Sequence, residues 1–328
     1  MRYARFYSQR RPSGRTGRVV GLALAALVAL VLGAGVHAVE RATAPPAVEP
    51  SDPGSAPVVS LRAQEPPAPA PDGPGPALAV SRDLVMDEYF VHVPPAASGR
   101  LEVLVALHGM GEDGRAFCQS ILTRTDRERW VVVAPTFPYG DWTNPNQVAN
   151  EESGGFIPRL HAFLATLPAR TGLDLEPRVL LYGVSRGAQL AHRYALVYPE
   201  ETQGVAMLSA GTYTLPLSQI EVEGRRVPLP YPFGTADLRE RFGRAPDLAA
   251  LRQVPFLVGV GGEDRNPAEV PHQWDPYIGP TRVERAATFA RRLAELGVPV
   301  EFVVFPGVGH AVTDEMRARA LDFVAALS

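Results

Sequence analysis

The chain has no lysine, a single cysteine, and no aromatic residue anywhere in its stretch 41–80. Arginine supplies all 32 basic side chains, a pattern that reflects codon usage in a GC-rich genome rather than recognition chemistry. Six of those arginines lie in the first 18 residues, which contain no acid. The remainder holds 26 basic and 35 acidic residues, a formal charge of −9, which argues against nucleic-acid binding because that wants a basic face. Cys118 alone permits no intramolecular disulfide and no cysteine-rich metal site. Residues 41–80 combine eleven prolines with abundant alanine. Such a segment cannot bury enough surface to fold, and its prolines hold it extended. No internal repeat interrupts the chain.

What is present sorts into three parts. Residues 1–38 read as a signal anchor or signal peptide: a basic front followed by 18 apolar or small residues, Val19 to Val36. That run is longer than the usual hydrophobic region of a cleaved signal and slightly short of a full bilayer span. Arg10-Arg11 hints weakly at twin-arginine export. Retention would place the protein in the cell envelope, anchored through residues 19–36 with the rest on the outer side of the membrane. Cleavage after Ala38, at Val36-His37-Ala38, would secrete it instead. Residues 39–80 are the tether. Residues 81–328 are long enough, and apolar enough, for one domain of about 250 residues.

Within that domain, short apolar runs alternate with helical patterns. Strands are expected at Val85–Val93, Glu102–Leu107, Trp130–Val133, Val179–Tyr182, Gly204–Leu208, around Phe256 and at Val300–Phe305. Helices are expected at Arg115–Arg124, Glu152–Ala169, Val283–Leu296 and Thr313–Leu327. The alternation predicts a mostly parallel sheet with helices on both faces and ligands bound beyond the carboxyl ends of the strands. An insertion, Gly211 to Pro255, precedes the strand at Phe256. Its Tyr213, Tyr231 and Phe233, with Trp142 and Trp274 from other loops, are expected either to rim an acyl or aryl pocket or to pack as an ordinary lid.

Four short motifs sit at strand ends. Gly183-Val-Ser-Arg-Gly187 fits G-x-S-x-G between an apolar strand and a helical pattern, the context in which a serine is pushed out of the sheet on a strained turn. Side chains in place of the two glycines would collide with neighbouring backbone. Downstream, Gly261-Gly-Glu-Asp264 follows the Phe256 run and Gly309-His310 follows Val300–Phe305. The order Ser, Asp, His on successive strand ends suits a nucleophile, an orienting acid and a general base. Glu263 competes with Asp264 for the acid, and His192 and His272 compete with His310 for the base. Upstream, His108-Gly-Met-Gly111 closes another strand. Backbone N–H groups of Met110 and Arg186 are the expected oxyanion donors. His108 is expected to orient its loop rather than to act as a base.

Through Leu107-His-Gly-Met-Gly111, Tyr182-Gly-Val-Ser-Arg-Gly187, Gly261-Gly-Glu-Asp264 and Gly309-His310, residues 85–328 resemble the α/β-hydrolases, in particular esterases of the polyhydroxybutyrate-depolymerase-like and feruloyl-esterase-like group. The resemblance implies that Ser185 is the nucleophile, His310 the base and Asp264 its partner. It implies hydrolysis of a small or polymeric carboxylic ester with no metal and no organic cofactor. Arg186 departs from the small or apolar residue common after the nucleophile of lipases. Two other readings stay open: a peptidase or acyltransferase on the same frame, with Glu151-Glu152 anchoring a substrate terminus, and a non-catalytic, envelope-tethered binding protein.

Overall fold

The apolar runs of the sequence supply the strands of one large sheet, and the helical patterns between them cover its two faces. The computed structural model describes residues 82–95, 99–124 and 130–328. The signal or anchor expected at 1–38 and the tether expected at 39–80 lie outside the described residues. No helix among the described residues is long and apolar enough to cross a membrane.

Ten strands are found among them: β1 (Arg82–Met86), β2 (Tyr89–Val93), β3 (Leu101–Leu107), β4 (Trp130–Pro135), β5 (Leu175–Val184), β6 (Thr202–Leu208), β7 (Gln219–Val222), β8 (Arg225–Pro228), β9 (Phe256–Gly261) and β10 (Val300–Phe305). Eight of them form one sheet in the order β1-β2-β4-β3-β5-β6-β9-β10, and β7 and β8 pair separately. β1, β2 and β4 pair antiparallel, and every pairing from β4 through β3 to β10 is parallel. The single strand expected over Val85–Val93 is a hairpin instead. Asp87 adopts φ 57, and its turn breaks the run into two antiparallel strands, β1 at the sheet edge and β2 between it and β4.

The α-helices used below are α1 (Gly114–Leu122), α2 (Pro145–Glu151), α3 (Ile157–Thr171), α4 (Arg186–Val197), α5 (Leu238–Phe242), α6 (Leu248–Leu251), α7 (Asp275–Ile278), α8 (Arg282–Glu295) and α9 (Asp314–Ala326). Alternate strand residues face two separate cores. Val103, Val105, Leu181 and Val258 pack with α3, α4 and α8 on one side, whereas Leu104, Leu180 and Leu257 pack with α1 and α9 on the other. The central parallel strands β3, β4, β6 and β9 are buried on both faces, whereas the edge strand β10 leaves Phe302 and Val304 exposed.

The helical stretch expected at Glu152–Ala169 starts earlier, at Pro145, and the run to Thr171 has three parts. Asn144 caps α2 with its side chain, a five-residue π-helical turn Glu152–Phe156 follows, and α3 continues to a left-handed Gly172. Parallel register places the carboxyl ends of β3, β5, β6, β9 and β10 along one edge. Leu107 pairs with Gly183, Val184 with Leu208, and Phe305 with Gly261.

Candidate active site

Past the end of β5 the chain turns sharply into α4, and Ser185 occupies the corner with φ 51 and ψ −111. That conformation is costly for a residue with a side chain, and it is held by the backbone on both sides. The Ser185 N–H donates to Leu208 O at 2.8 Å, and Gln189 N–H donates to Ser185 O. A Cβ at Gly183 would run into the Gly187 backbone, and one at Gly187 into the carbonyl of Leu107. Both glycines are thus dictated by close approach of strand and helix.

The neighbouring strand ends bring two further groups to this corner. Asp264 follows β9 and is almost fully buried, while His310 follows β10 with its side chain one-third exposed. His310 Nδ1 lies 2.9 Å from Asp264 Oδ2, and its Nε2 lies 3.4 Å from Ser185 Oγ. With Nδ1–H donating to the carboxylate, Nε2 is left as the acceptor facing the serine hydroxyl. The serine contact is long, as such contacts often are before substrate binds. The other oxygen of Asp264 accepts from Arg282 Nη1 at 2.9 Å, and Arg282 also reaches Glu269 at 3.1 Å. The sequence reading missed Arg282, since nothing in the pattern of α8 sets it apart from the other helix arginines.

The competing residues lie elsewhere. Glu263 faces solvent and uses its backbone N–H on Val308 O. His272 is exposed and pairs with Asp275. His192 is wholly buried, with Nδ1 donating to Ala188 O and Nε2 accepting from Thr214 N–H, and burial pushes its pKa down to about 3.

In the loop after β3, the His108 ring bonds to backbone at both nitrogens. His108 Nδ1 donates to Gly109 O at 2.7 Å and Nε2 accepts from Phe137 N–H at 3.0 Å. Both ring nitrogens are consumed, and burial lowers the pKa, so the ring is a neutral brace. Glu112 accepts from Gly109 N–H at 2.9 Å. Arg186 opens α4, so its N–H has no acceptor four residues back within the helix.

Of the two arrangements expected for the aromatics in and around the insertion, a pocket rim or ordinary packing, the second holds for most of them. Tyr213, Tyr231 and Trp274 are buried, and Trp274 Nε1 donates to Tyr213 O at 3.1 Å. Phe233 packs against Trp274 with ring centres 4.5 Å apart and planes inclined by 41°. Only Trp142 lines a cavity at Ser185. Two cavities meet at the serine. One, of about 490 Å³, is walled by Glu112, Asp113, Phe117, Ser120, Val312 and Arg317; the other, of about 340 Å³, by Trp142, Gln189, Thr212, Glu269, Pro271 and Arg282. Among the described residues no group of three or more His, Cys, Asp or Glu side chains is placed to hold a metal ion.

The acidic pair Glu151-Glu152 is already engaged. Glu151 accepts from Gly140 N–H and from Gln147 Nε2. Glu152, fully buried, accepts from Arg186, Arg193 and Tyr231. A free anchor for a substrate terminus is therefore not available there. The charge immediately after Ser185 was the one sequence signal for this cluster, because a buried arginine demands a carboxylate partner.

No protein-family model and no curated protein matches this sequence. Solved structures do. Poly(aspartic acid) hydrolase-1 from Sphingomonas sp. KT-1 superposes with a TM-score of 0.54 at 17% identity, over 75% of this chain and 97% of that one. LpqC, a poly(3-hydroxybutyrate) depolymerase from Bordetella parapertussis, superposes with a TM-score of 0.52 at 22% identity, over 76% and 94%. Together with the eight-stranded, mostly parallel sheet and its covering helices, these likenesses establish that the chain has the α/β-hydrolase fold.

Proposed function

We propose that the protein is a serine hydrolase that cleaves carboxylic esters through an acyl-enzyme. The observation that carries the reading is the continuous line from Ser185 Oγ through the His310 ring to Asp264 at the strained turn after β5. Ser185 Oγ attacks the acyl carbon as its proton passes to His310 Nε2. Asp264 holds the tautomer and stabilises the imidazolium that forms. Negative charge on the acyl oxygen faces the N–H groups of Arg186 and Met110. Glu112 occupies the Gly109 N–H, which leaves Met110 as the donor from that loop. The alcohol departs with the proton from His310, and water, activated by the same ring, then releases the acid and restores Ser185. The scheme uses no metal or organic cofactor.

The two cavities on either side of Ser185 suit the acyl and alcohol halves of a small ester or the end of a polymeric one. Carboxylates, hydroxyls and guanidinium groups among their walls favour short or polar substituents over long alkyl chains. A fluorophosphonate probe and a panel of p-nitrophenyl esters of increasing chain length test the reading. Wild-type protein should label and should hydrolyse the short esters best. Ser185→Ala should abolish labelling and cost several powers of ten in turnover with the fold intact. Full labelling of the alanine variant would overturn the assignment.

A further inference from the structure

Behind the first turns of α4, Glu152, Arg186 and Arg193 are 0%, 2% and 0% exposed. Glu152 Oε1 accepts from both arginines, at 2.8 Å from Arg193 Nη1, and its Oε2 accepts from the Tyr231 hydroxyl. Burial opposes ionisation of Glu152, but Arg193 and Arg186 outweigh it and hold the carboxyl below its ordinary range. Burial pushes the phenols of Tyr139 and Tyr231 upward and the His192 ring down, so all three are neutral near pH 7. The cluster therefore carries one positive charge in excess.

The two arginines are not equivalent. Arg193 spends its remaining donors on Thr214 Oγ1 at 2.9 Å and Thr212 Oγ1 at 2.7 Å. Glu152 with Arg193 and Tyr231 would by itself be a neutral and well-bonded group. Arg186 adds the surplus charge, and its Nε and Nη2 have no hydrogen-bond partner among the described residues. Its guanidinium carbon lies 5.1 Å from the centre of the Tyr139 ring. Buried donors left unpaired and a surplus buried charge both cost stability. The residue that imposes this cost is the one directly after Ser185.

The opposite flank has the reverse balance. Asp264, Glu269 and Arg282 sum to one negative charge beside His310. In the proposed mechanism, surplus positive charge thus belongs to the residue whose N–H faces the acyl oxygen, and surplus negative charge lies beside the ring that becomes an imidazolium. We infer that the Arg186 guanidinium, pinned by Glu152, is an electrostatic positioning residue that reinforces the oxyanion site at the start of α4. The inference rests on the serine-hydrolase reading. Charge placed in advance in a dry site needs no reorganisation as the transition state forms, and it adds to the positive end of the helix dipole.

The test is the rate of fluorophosphonate labelling, with kcat and KM for p-nitrophenyl acetate, in wild-type protein, Arg186→Met and Arg186→Lys, beside thermal melting. The methionine variant should lose on the order of ten- to thirtyfold in kcat and in labelling, with KM within about twofold. The lysine variant should recover most of that loss. A folded methionine variant reacting at the wild-type rate overturns the inference, as does a lysine variant no faster than methionine, which would assign the loss to packing. Should the methionine variant not fold, Arg186→Gln stands in its place with the same expected loss and the same overturning result. Wild-type protein that does not label overturns the serine-hydrolase reading and this inference together, whereas labelled wild type with unaffected variants overturns the inference alone.

Discussion

The two ionic groups flanking Ser185 differ in sign and in depth. On the His310 side, Asp264 and Arg282 are buried but Glu269 is nearly half exposed, so the group opens to solvent. On the α4 side, Glu152, Arg186 and Arg193 are shut away entirely. Charge at the open end is screened by water, whereas charge in the closed cluster is felt at full strength and must be matched or endured. The same pair of residue types, arginine and carboxylate, thus does two jobs. One arginine holds the carboxylate against which the His310 ring rests, and on the other side one carboxylate holds two arginines of α4.

Asp264→Asn should break the open flank most severely. The amide offers a donor where His310 Nδ1–H needs an acceptor, so the ring is left in the wrong tautomer and turnover should fall by about 10⁴. Glu263→Gln, one residue away and facing solvent, should change turnover by less than about twofold. Steady-state kinetics of the two variants checks the contrast, and the reverse result would move the acid to Glu263.

Glu152→Gln should break the closed flank through stability. It leaves two buried guanidinium groups without a counter-charge, a loss of about 3–5 kcal/mol, which at this domain size is a fall of roughly 10 °C in Tm. The carboxyl is held below its ordinary value of 4.5 in the folded chain. Its stabilisation is therefore complete above that pH and is lost as pH falls through the lowered folded value. Melting curves from pH 7 to pH 3 should show wild-type stability dropping with acid more steeply than that of the glutamine variant. Equal slopes would mean that Glu152 is not the group being protonated.

The smallest effect belongs to Glu269→Gln. Arg282 keeps its bond to Asp264, and a half-exposed ion pair contributes about 0–1 kcal/mol. Stability by chemical denaturation should stay within that range and turnover within about twofold. A loss comparable with that of Asp264→Asn would show that Glu269, not Asp264, fixes the orientation of Arg282.

Much of the frame was legible because it is local. The strand at Val300–Phe305 falls where its apolar run falls, and α8 and α9, capped by Thr281 and Thr313, begin and end within one residue of the expected Val283–Leu296 and Thr313–Leu327. The elbow glycines are legible for a similar reason, since only a residue without a side chain fits between β5 and α4. The hairpin at Asp87 was missed although Asp87-Glu88 interrupts the apolar run, because two polar residues fit a continuous strand as well as a turn until the left-handed backbone of Asp87 is known. The π-helical turn was missed because its hydrogen bonding is a register choice that α2 and α3 impose together. Arg282 and Arg193 were missed because one arginine on a helix looks like another until its neighbours are known.

By itself the sequence determined which residues stand at the strand ends, because strand length, turn chemistry and close backbone approach act over a few neighbouring positions. Only the tertiary structure decided how those ends are ordered side by side, and so which carboxylate meets His310 and which meets Arg186. Glu152 lies 34 positions from Arg186 and 79 from Tyr231. No local preference couples such residues. They meet because the segments that carry them pack on the same face of the sheet, and a buried charge there is tolerated only where another chain segment supplies its partner.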